Sequence, residues 1–270
     1  MPYRRYALPA VWLLSVFLLP SDGTAAVAGE SITALTEPSS DIVMSFTVAG
    51  RVKNIPVKEG QLVQAGDLLI ELNAEALEAR LRQLTLEAEN SAELLASEAE
   101  LRQKRQDLVK LEQAYSKGAA TKIELEHALL DVEISEYRLQ AAGHARQVAV
   151  HKKEEAEAEI REYRLLSPTS GLVEKLELEA GETAKTSEDA VRVVGLDPLW
   201  VEADVPLGSF ESFAPGREIM VVFPGGLEKT GLVVFRGSVA DSASDTIRLR
   251  LEVSNPEHRH AGDRVTLSVE

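Results

Sequence analysis

Apolar positions change their period twice along this chain. Between residues 46 and 72 they alternate with polar ones at Val52, Ile55 and Val57 and then run together from Leu68 to Leu72, the signature of half-buried strands, with Gly60 and Gly66 at the turns between them. From residue 74 to 163 the spacing becomes four-three. One stripe runs through Leu77, Leu81, Leu84, Ala88, Ser91 and Leu95, shifts, and resumes at Leu101, Leu108, Leu111 and Tyr115. A second runs through Leu125, Leu129, Val132, Glu136, Leu139, Gly143, Arg146 and Val150, weakening toward its end. Such a stripe is a coiled-coil seam. Between the two lies Lys117-Gly118-Ala119-Ala120-Thr121, in which the glycine can end one helix and the threonine can cap the next, with Glu124 three residues on. The pattern predicts two long antiparallel helices of about 65 Å each, at 1.5 Å per residue. Period alone leaves a dimerising rod equally open.

Strand periods return after residue 163. Around residues 199–205, 218–223, 232–235, 247–253 and 264–269, alternating stretches with Gly and Pro between them predict a compact barrel, to which residues 29–45 would add a strand.

The two segments flanking the helices repeat one another at an offset of 121 residues. Gly50 aligns with Gly171, Val52 with Val173, Ile55 with Leu176, Val57 with Leu178, Gly60 with Gly181, Ile70 with Val191 and Leu72 with Val193. Each half reads as strand, glycine turn, strand. Neither can bury its apolar face alone, so the halves are expected to pack as one β-sandwich, with residues 46–73 and 167–196 forming it and residues 74–166 inserted as the hairpin.

The amino terminus adds a location. Arg4 and Arg5 precede an apolar run of about ten residues, Pro20 and a small-residue site near Ala26-Val27-Ala28, the pattern of a cleaved secretory signal peptide over residues 1–28. The run is short for a bilayer span. No cysteine is present, which excludes a lipid-modified amino-terminal cysteine and any disulfide framework. The formal net charge is −15, and loss of the leader makes it one unit more negative, a balance that disfavours nucleic acid.

Candidate chemistry is sparse. His258 and His260 form the one close histidine pair, in a polar turn after Asn255-Pro256, and convergent third and fourth ligands are lacking, so a solvated loop is expected and no metal. The carboxylate clusters Glu87/Glu89 and Glu154/Glu155/Glu157/Glu159 lie on charge-rich helix faces and read as solvated. There is no phosphate-binding loop or nucleophile elbow, and no enzyme activity is expected.

The half-repeat resembles the biotinyl/lipoyl domain. Where that domain carries its cofactor lysine on a hairpin tip, this chain has Asn73-Ala74-Glu75, so no cofactor is expected. A split lipoyl-like sandwich with a coiled-coil hairpin in place of the tip resembles the HlyD-type periplasmic adaptors, or membrane fusion proteins, of tripartite efflux pumps. Leu165-Leu166-Ser167-Pro168-Thr169-Ser170-Gly171-Leu172-Val173 is similar to that family's return into the second half-lipoyl. Asp197-Pro198-Leu199-Trp200-Val201, Phe235-Arg236-Gly237-Ser238-Val239, Val253-Ser254-Asn255-Pro256 and Ala261-Gly262-Asp263-Arg264-Val265 are similar to its barrel motifs. The fold implied is a multidomain α+β one: the split lipoyl-like sandwich, the inserted hairpin, and a small β-barrel from residues 29–45 and 197–270, without a complete membrane-proximal domain.

What the resemblance implies is a periplasmic adaptor without catalysis, homo-oligomeric as a hexameric ring, bridging an inner-membrane transporter, of RND type first, to an outer-membrane channel. An ABC-type exporter partner, a coiled-coil scaffold and a biotin or lipoate carrier are the alternatives. Pump docking would fall to the barrel. The family's channel-contacting arginine, leucine and serine near the hairpin tip correspond to Lys110, Ala114 and Thr121, and the expected contact surface is Lys110, Lys117, Gly118, Thr121 and Lys122.

Overall fold

A computed structural model of the chain describes Met1, Pro2 and residues 31–268. The expected signal peptide and its cleavage site lie outside these residues, apart from the first two.

Twelve strands and three helices follow in order among the described residues: β1 (Ser31–Ser45), β2 (Gly50–Asn54), β3 (Leu62–Val63), β4 (Leu68–Leu72), α1 (Glu75–Glu89), α2 (Ala92–Ser116), α3 (Lys122–Arg161), β5 (Arg164–Leu166), β6 (Gly171–Leu176), β7 (Thr183–Ala184), β8 (Asp189–Pro206), then a 3-10 helix (Leu207–Phe213), β9 (Glu218–Val222), β10 (Glu228–Arg236), β11 (Thr246–Val253) and β12 (Arg264–Ser268).

The repeat read from the sequence is a physical pseudo-twofold. The Gly60 N–H donates to the Val173 carbonyl at 2.8 Å, and the Gly181 N–H donates to the Val52 carbonyl at 2.9 Å. β3 pairs with β6 through Leu62 and Leu172 as β7 pairs with β2 through Thr183 and Arg51, each partner displaced by the same offset. Equivalent residues share one core: Val52 and Val173, Val63 and Ala184, Leu69 and Ala190, Ile70 and Val191, Leu72 and Val193 are all buried together. Each half leaves one face of its strands apolar, and the two faces cover one another.

The barrel runs in the strand order β1-β12-β9-β10-β11-β8 and closes through β1 against β8. Its interior takes every second residue of each strand, as in Leu249, Leu251 and Val253 of β11, so the alternation along the chain becomes the inside and outside of the barrel.

Barrel and sandwich are joined by shared strands. β1 pairs with β8 in the barrel through Leu35–Pro38 and in the sandwich through Ser40–Ser45, with a register shift between Pro38 and Ser40. The barrel share of β1 therefore stops short of the boundary expected at residue 45. A linker would leave the two modules free to swivel, whereas two continuous paired strands hold them at one angle.

The inserted hairpin departs from the expected two unbroken helices. The first arm is split at Asn90, whose backbone is extended (ψ 109), and the Asn90 side-chain oxygen accepts from the Ala92 N–H at 3.0 Å to start α2. The split falls where the seam changes phase. In the seam itself, Leu94 and Ala114 turn inward while Leu95 and Tyr115 are exposed. On α3 the inward residues are Leu125, Ala128, Val132, Ser135, Leu139, Ala142, Ala149 and Ala156, while Leu129, Glu136 and Arg146 face solvent. The expected stripe thus holds at Leu77, Leu84, Leu101, Leu108, Leu125, Val132 and Leu139, and is one position off at Leu95, Tyr115, Leu129 and Glu136. Ala128, Ser135, Ala142, Ala149 and Ala156 recur every seventh residue, and small side chains there let the helix backbones approach closely. Three exposed interhelical ion pairs accompany this register: Lys104–Asp131 at 2.7 Å, Arg105–Glu136 at 2.7 Å and Arg138–Glu100 at 2.6 Å.

Candidate functional site

The hairpin leaves the sandwich where a lipoyl-like turn would stand. Leu72 of β4 donates its N–H to the Tyr163 carbonyl at 2.8 Å, so the chain departs into α1 and returns from α3 at adjacent points. The position after β4 is Asn73, whose side-chain oxygen accepts the Glu75 N–H at 3.0 Å and starts α1. α3, with its 40 residues, places the opposite end about 60 Å away at 1.5 Å per residue.

That end is built by two helix caps back to back. α2 finishes in a Schellman motif: the Ala119 N–H donates to the Ala114 carbonyl at 2.8 Å and the Gly118 N–H to the Tyr115 carbonyl at 2.9 Å. Gly118 has φ +75, a left-handed conformation that suits glycine, and open space surrounds the position a side chain would take. Three residues later Thr121 starts α3 with a capping box. Its Oγ1 accepts the Glu124 N–H at 3.3 Å while its own N–H donates to Glu124 Oε2 at 2.7 Å. The Thr121 N–H, with its hydroxyl, holds the Glu124 carboxyl below the ordinary glutamate value. The turn is therefore fixed by hydrogen bonds at both ends.

Lys117, Gly118, Thr121 and Lys122 come together on this tip, all exposed, with Lys122 paired to Glu126 of its own helix at 3.2 Å. Lys110 does not join them. It lies seven residues below Lys117 along α2, about 10 Å down the arm, and pairs with Asp107 at 3.3 Å. Ala114 is half-buried in the seam. The sequence reading missed Ile123, which stands 67% exposed on the first turn of α3 beside Lys122. Its signal was an apolar residue two positions out of phase with the seam.

The remaining candidates are accounted for locally. His260 Nε2 lies 3.0 Å from Asp263 Oδ1, and His258 lines the cleft between sandwich and barrel. Among the described residues no three metal-ligating side chains converge. Glu154, Glu157 and Glu159 sit near His151, Lys153 and Arg80 at 3.1, 3.6 and 3.7 Å, as solvated helix charges do. No helix among the described residues is long and apolar enough to cross a membrane.

The outer wall of the barrel carries a more ordered polar arrangement. Leu35, Glu202, Arg250 and Phe235 lie in one row across β1, β8, β11 and β10. The Arg250 guanidinium covers the Trp200 ring at 3.9 Å and donates to Glu202 at 2.5 and 2.8 Å, with Leu35 and Phe235 exposed at either end.

Comparison with known proteins covers the same architecture. The family model described as RND MFP, barrel-sandwich hybrid domain, matches residues 43–196. The nickel-cobalt-cadmium resistance protein NccB of Alcaligenes xylosoxydans xylosoxydans is 23% identical over 245 residues, covering 89% of this chain and 55% of its own length. The nodulation protein NolF of Rhizobium meliloti (strain 1021) is 26% identical over 227 residues, covering 83% of this chain and 58% of its own. The chain thus spans little more than half the length of these relatives. In fold it is similar to MacA from Actinobacillus actinomycetemcomitans, with a TM-score of 0.71 at 17% identity, over 90% of this chain and 78% of that one. The membrane fusion protein Spr0693 from Streptococcus pneumoniae R6 gives a TM-score of 0.56 at 15% identity, over 89% of this chain and 99% of that one.

Proposed function

Since the chain belongs to the RND membrane fusion protein family, whose barrel-sandwich hybrid model covers more than half of it, we propose that it is a periplasmic adaptor linking an RND-type inner-membrane transporter to an outer-membrane channel. The observation that carries this reading is the position of the hairpin. An arm of about 60 Å, packed along a buried seam, projects from a rigid pair of β modules and ends in a turn whose backbone is capped at both ends while its lysine side chains face solvent. A rigid arm with a solvated tip suits contact with a distant partner, and it works by position, without chemistry at any residue.

In this reading Lys117, Gly118, Thr121 and Lys122, with Ile123 beside them, meet the outer-membrane channel, and the barrel faces the transporter. Copies of the chain surround the transporter as a ring, hexameric as in the resemblance, joined by heterologous contacts.

The test is made in the native envelope. A photo-crosslinker at Thr121 should capture an outer-membrane channel protein, and a second at Phe235 should capture an inner-membrane transporter whose identity fixes its class. Charge reversal at Lys117 and Lys122 together should lower export at equal protein level without loss of folding, because exposed charges contribute little to stability. Full export by that variant, with no crosslink from Thr121, would leave the arm without a docking role.

A further inference from the structure

The cleft between sandwich and barrel takes no part in the contacts proposed above. It holds about 350 Å³, and its apolar lining is Leu172, Val194 and Leu196 with Pro38 and Ala261 beside them. A second hollow of about 260 Å³ adjoins it and shares Leu172, Leu196 and His258.

The barrel side of the cleft is fixed in place. Asn255, fully buried, donates its side-chain N–H to the Leu196 carbonyl at 2.8 Å and to the Arg259 carbonyl at 3.0 Å, and its backbone N–H to Asp197 Oδ1 at 2.7 Å. These bonds tie the loop between β11 and β12 onto β8. His258, in that loop, has φ 50 and lines both hollows. A left-handed backbone at a residue other than glycine persists where its surroundings over-determine it.

The sandwich side carries a charge without a partner. In the first half of the repeat, Lys53 stands at the register shift between Val52 and Asn54 and pairs with Glu71 at 3.5 Å. The 121-residue offset puts Glu174 and Arg192 at the equivalent positions with the charges exchanged, and Glu174 too stands at a register shift, between Val173 and Lys175. Such a shift re-aims a side chain. The equivalent pair does not form. Arg192 donates twice to Asp41, at 2.7 and 2.5 Å, while Glu174 lines the cleft with no hydrogen bond or ion pair among the described residues. Asp41 and Arg192 cancel, so with the histidines counted neutral the larger hollow keeps the charge of Glu174, and Asp197 makes the smaller one negative as well.

We infer that this cleft is a binding site for an amphipathic organic cation, its apolar body on Leu172, Val194 and Leu196 and its positive charge beside Glu174. An apolar hollow with a few fixed polar groups is the ordinary make-up of a small-molecule site. A carboxylate at the apolar wall selects a cation, because a neutral body of the same shape would strip its water without replacing it. The negative net charge of the whole chain favours the same sign of ligand. A ligand seated here touches β6, β8 and the loop between β11 and β12 at once, and so bridges the two β modules. Its binding requires neither ring nor transporter and can fail without affecting the adaptor reading.

The probes are tetraphenylphosphonium and tetraphenylborate, a cation and an anion of nearly the same size and shape. Each is measured by equilibrium dialysis against the chain purified from native cells, at high salt, where diffuse attraction is screened. The phosphonium should bind saturably and roughly tenfold or more tighter than the borate. Glu174→Gln should remove that preference, and Glu174→Lys should reverse it, a gain that a misfolded cleft could not give. Glu155→Lys, on an exposed position of α3, changes the net charge by the same amount and should alter neither affinity. No saturable binding of the phosphonium, or equal binding of the two ions, would overturn the inference. Equal effects of Glu174→Lys and Glu155→Lys would overturn it too, since they mean attraction by net charge alone.

Discussion

Ser187 occupies in the second half of the sandwich the place that Gly66 occupies in the first. Both have left-handed backbones, at φ 63 and φ 92, and both donate their N–H across the pseudo-twofold, Gly66 to the Ser167 carbonyl at 2.7 Å and Ser187 to the Phe46 carbonyl at 3.0 Å. Phe46 and Ser167 are themselves related by the repeat, which therefore extends beyond the residues whose similarity reveals it.

The pair predicts an asymmetry between two substitutions. Gly66→Val should cost about 1–2 kcal/mol, because a branched side chain is strained at positive φ. Ser187→Gly should change stability by less than about 0.5 kcal/mol, since relief of that strain offsets the added freedom of the unfolded chain. Denaturant unfolding of the two variants measures both. Equal losses would show that the turns are not equivalent.

Excision of the hairpin should leave the β modules folded. Leu72 and Tyr163 are hydrogen-bonded at the root, so residues 75–161 can be replaced by a short Gly-containing turn with little movement of β4 or β5. Dispersed amide resonances and a strand-type circular dichroism spectrum are expected. A collapsed spectrum would mean that the sandwich depends on its insertion.

The seam of α3 predicts where bulk is refused. Ser135 and Ala142 are almost fully buried against the first arm, so Ser135→Leu or Ala142→Leu should destabilise the hairpin by about 1–3 kcal/mol through overpacking. Leu129→Ala, on the exposed side, should lie within about 0.5 kcal/mol of the parent. Thermal melts followed by helical circular dichroism separate the two, and a reversed order would restore the seam read from the large residues.

The tip should be sensitive to acid in one direction. The Glu124 carboxyl has a lowered pKa in the folded chain, so its contribution is complete above the unfolded value of 4.5 and is lost as pH falls through the folded value below that. Glu124→Gln should therefore flatten the pH dependence of hairpin stability in the acid range. Thr121→Ala should cost about 1 kcal/mol at neutral pH through loss of the cap. Melting curves taken from the acid range up to neutrality test both, and an unchanged acid profile in Glu124→Gln would show that the capping box contributes nothing measurable.

The sequence by itself determined the split sandwich, the hairpin and the turn that reverses it. The 121-residue repeat keeps one offset throughout, the seam periods are regular, and the Gly118 and Thr121 caps act through neighbours a few residues away, so each is a local signal that survives without knowledge of the rest. Only the tertiary structure decided which residues fill the seam and where the modules end. Leu129 and Ala128 are adjacent and both apolar, and the choice between them depends on how closely α2 approaches, which no single helix specifies. The break at Asn90 is of the same kind, since it reconciles two seam phases against one continuous partner. β1 and β8 read as single strands, and their division between barrel and sandwich is set by the register shift at Pro38 and Ser40, a property of the pair.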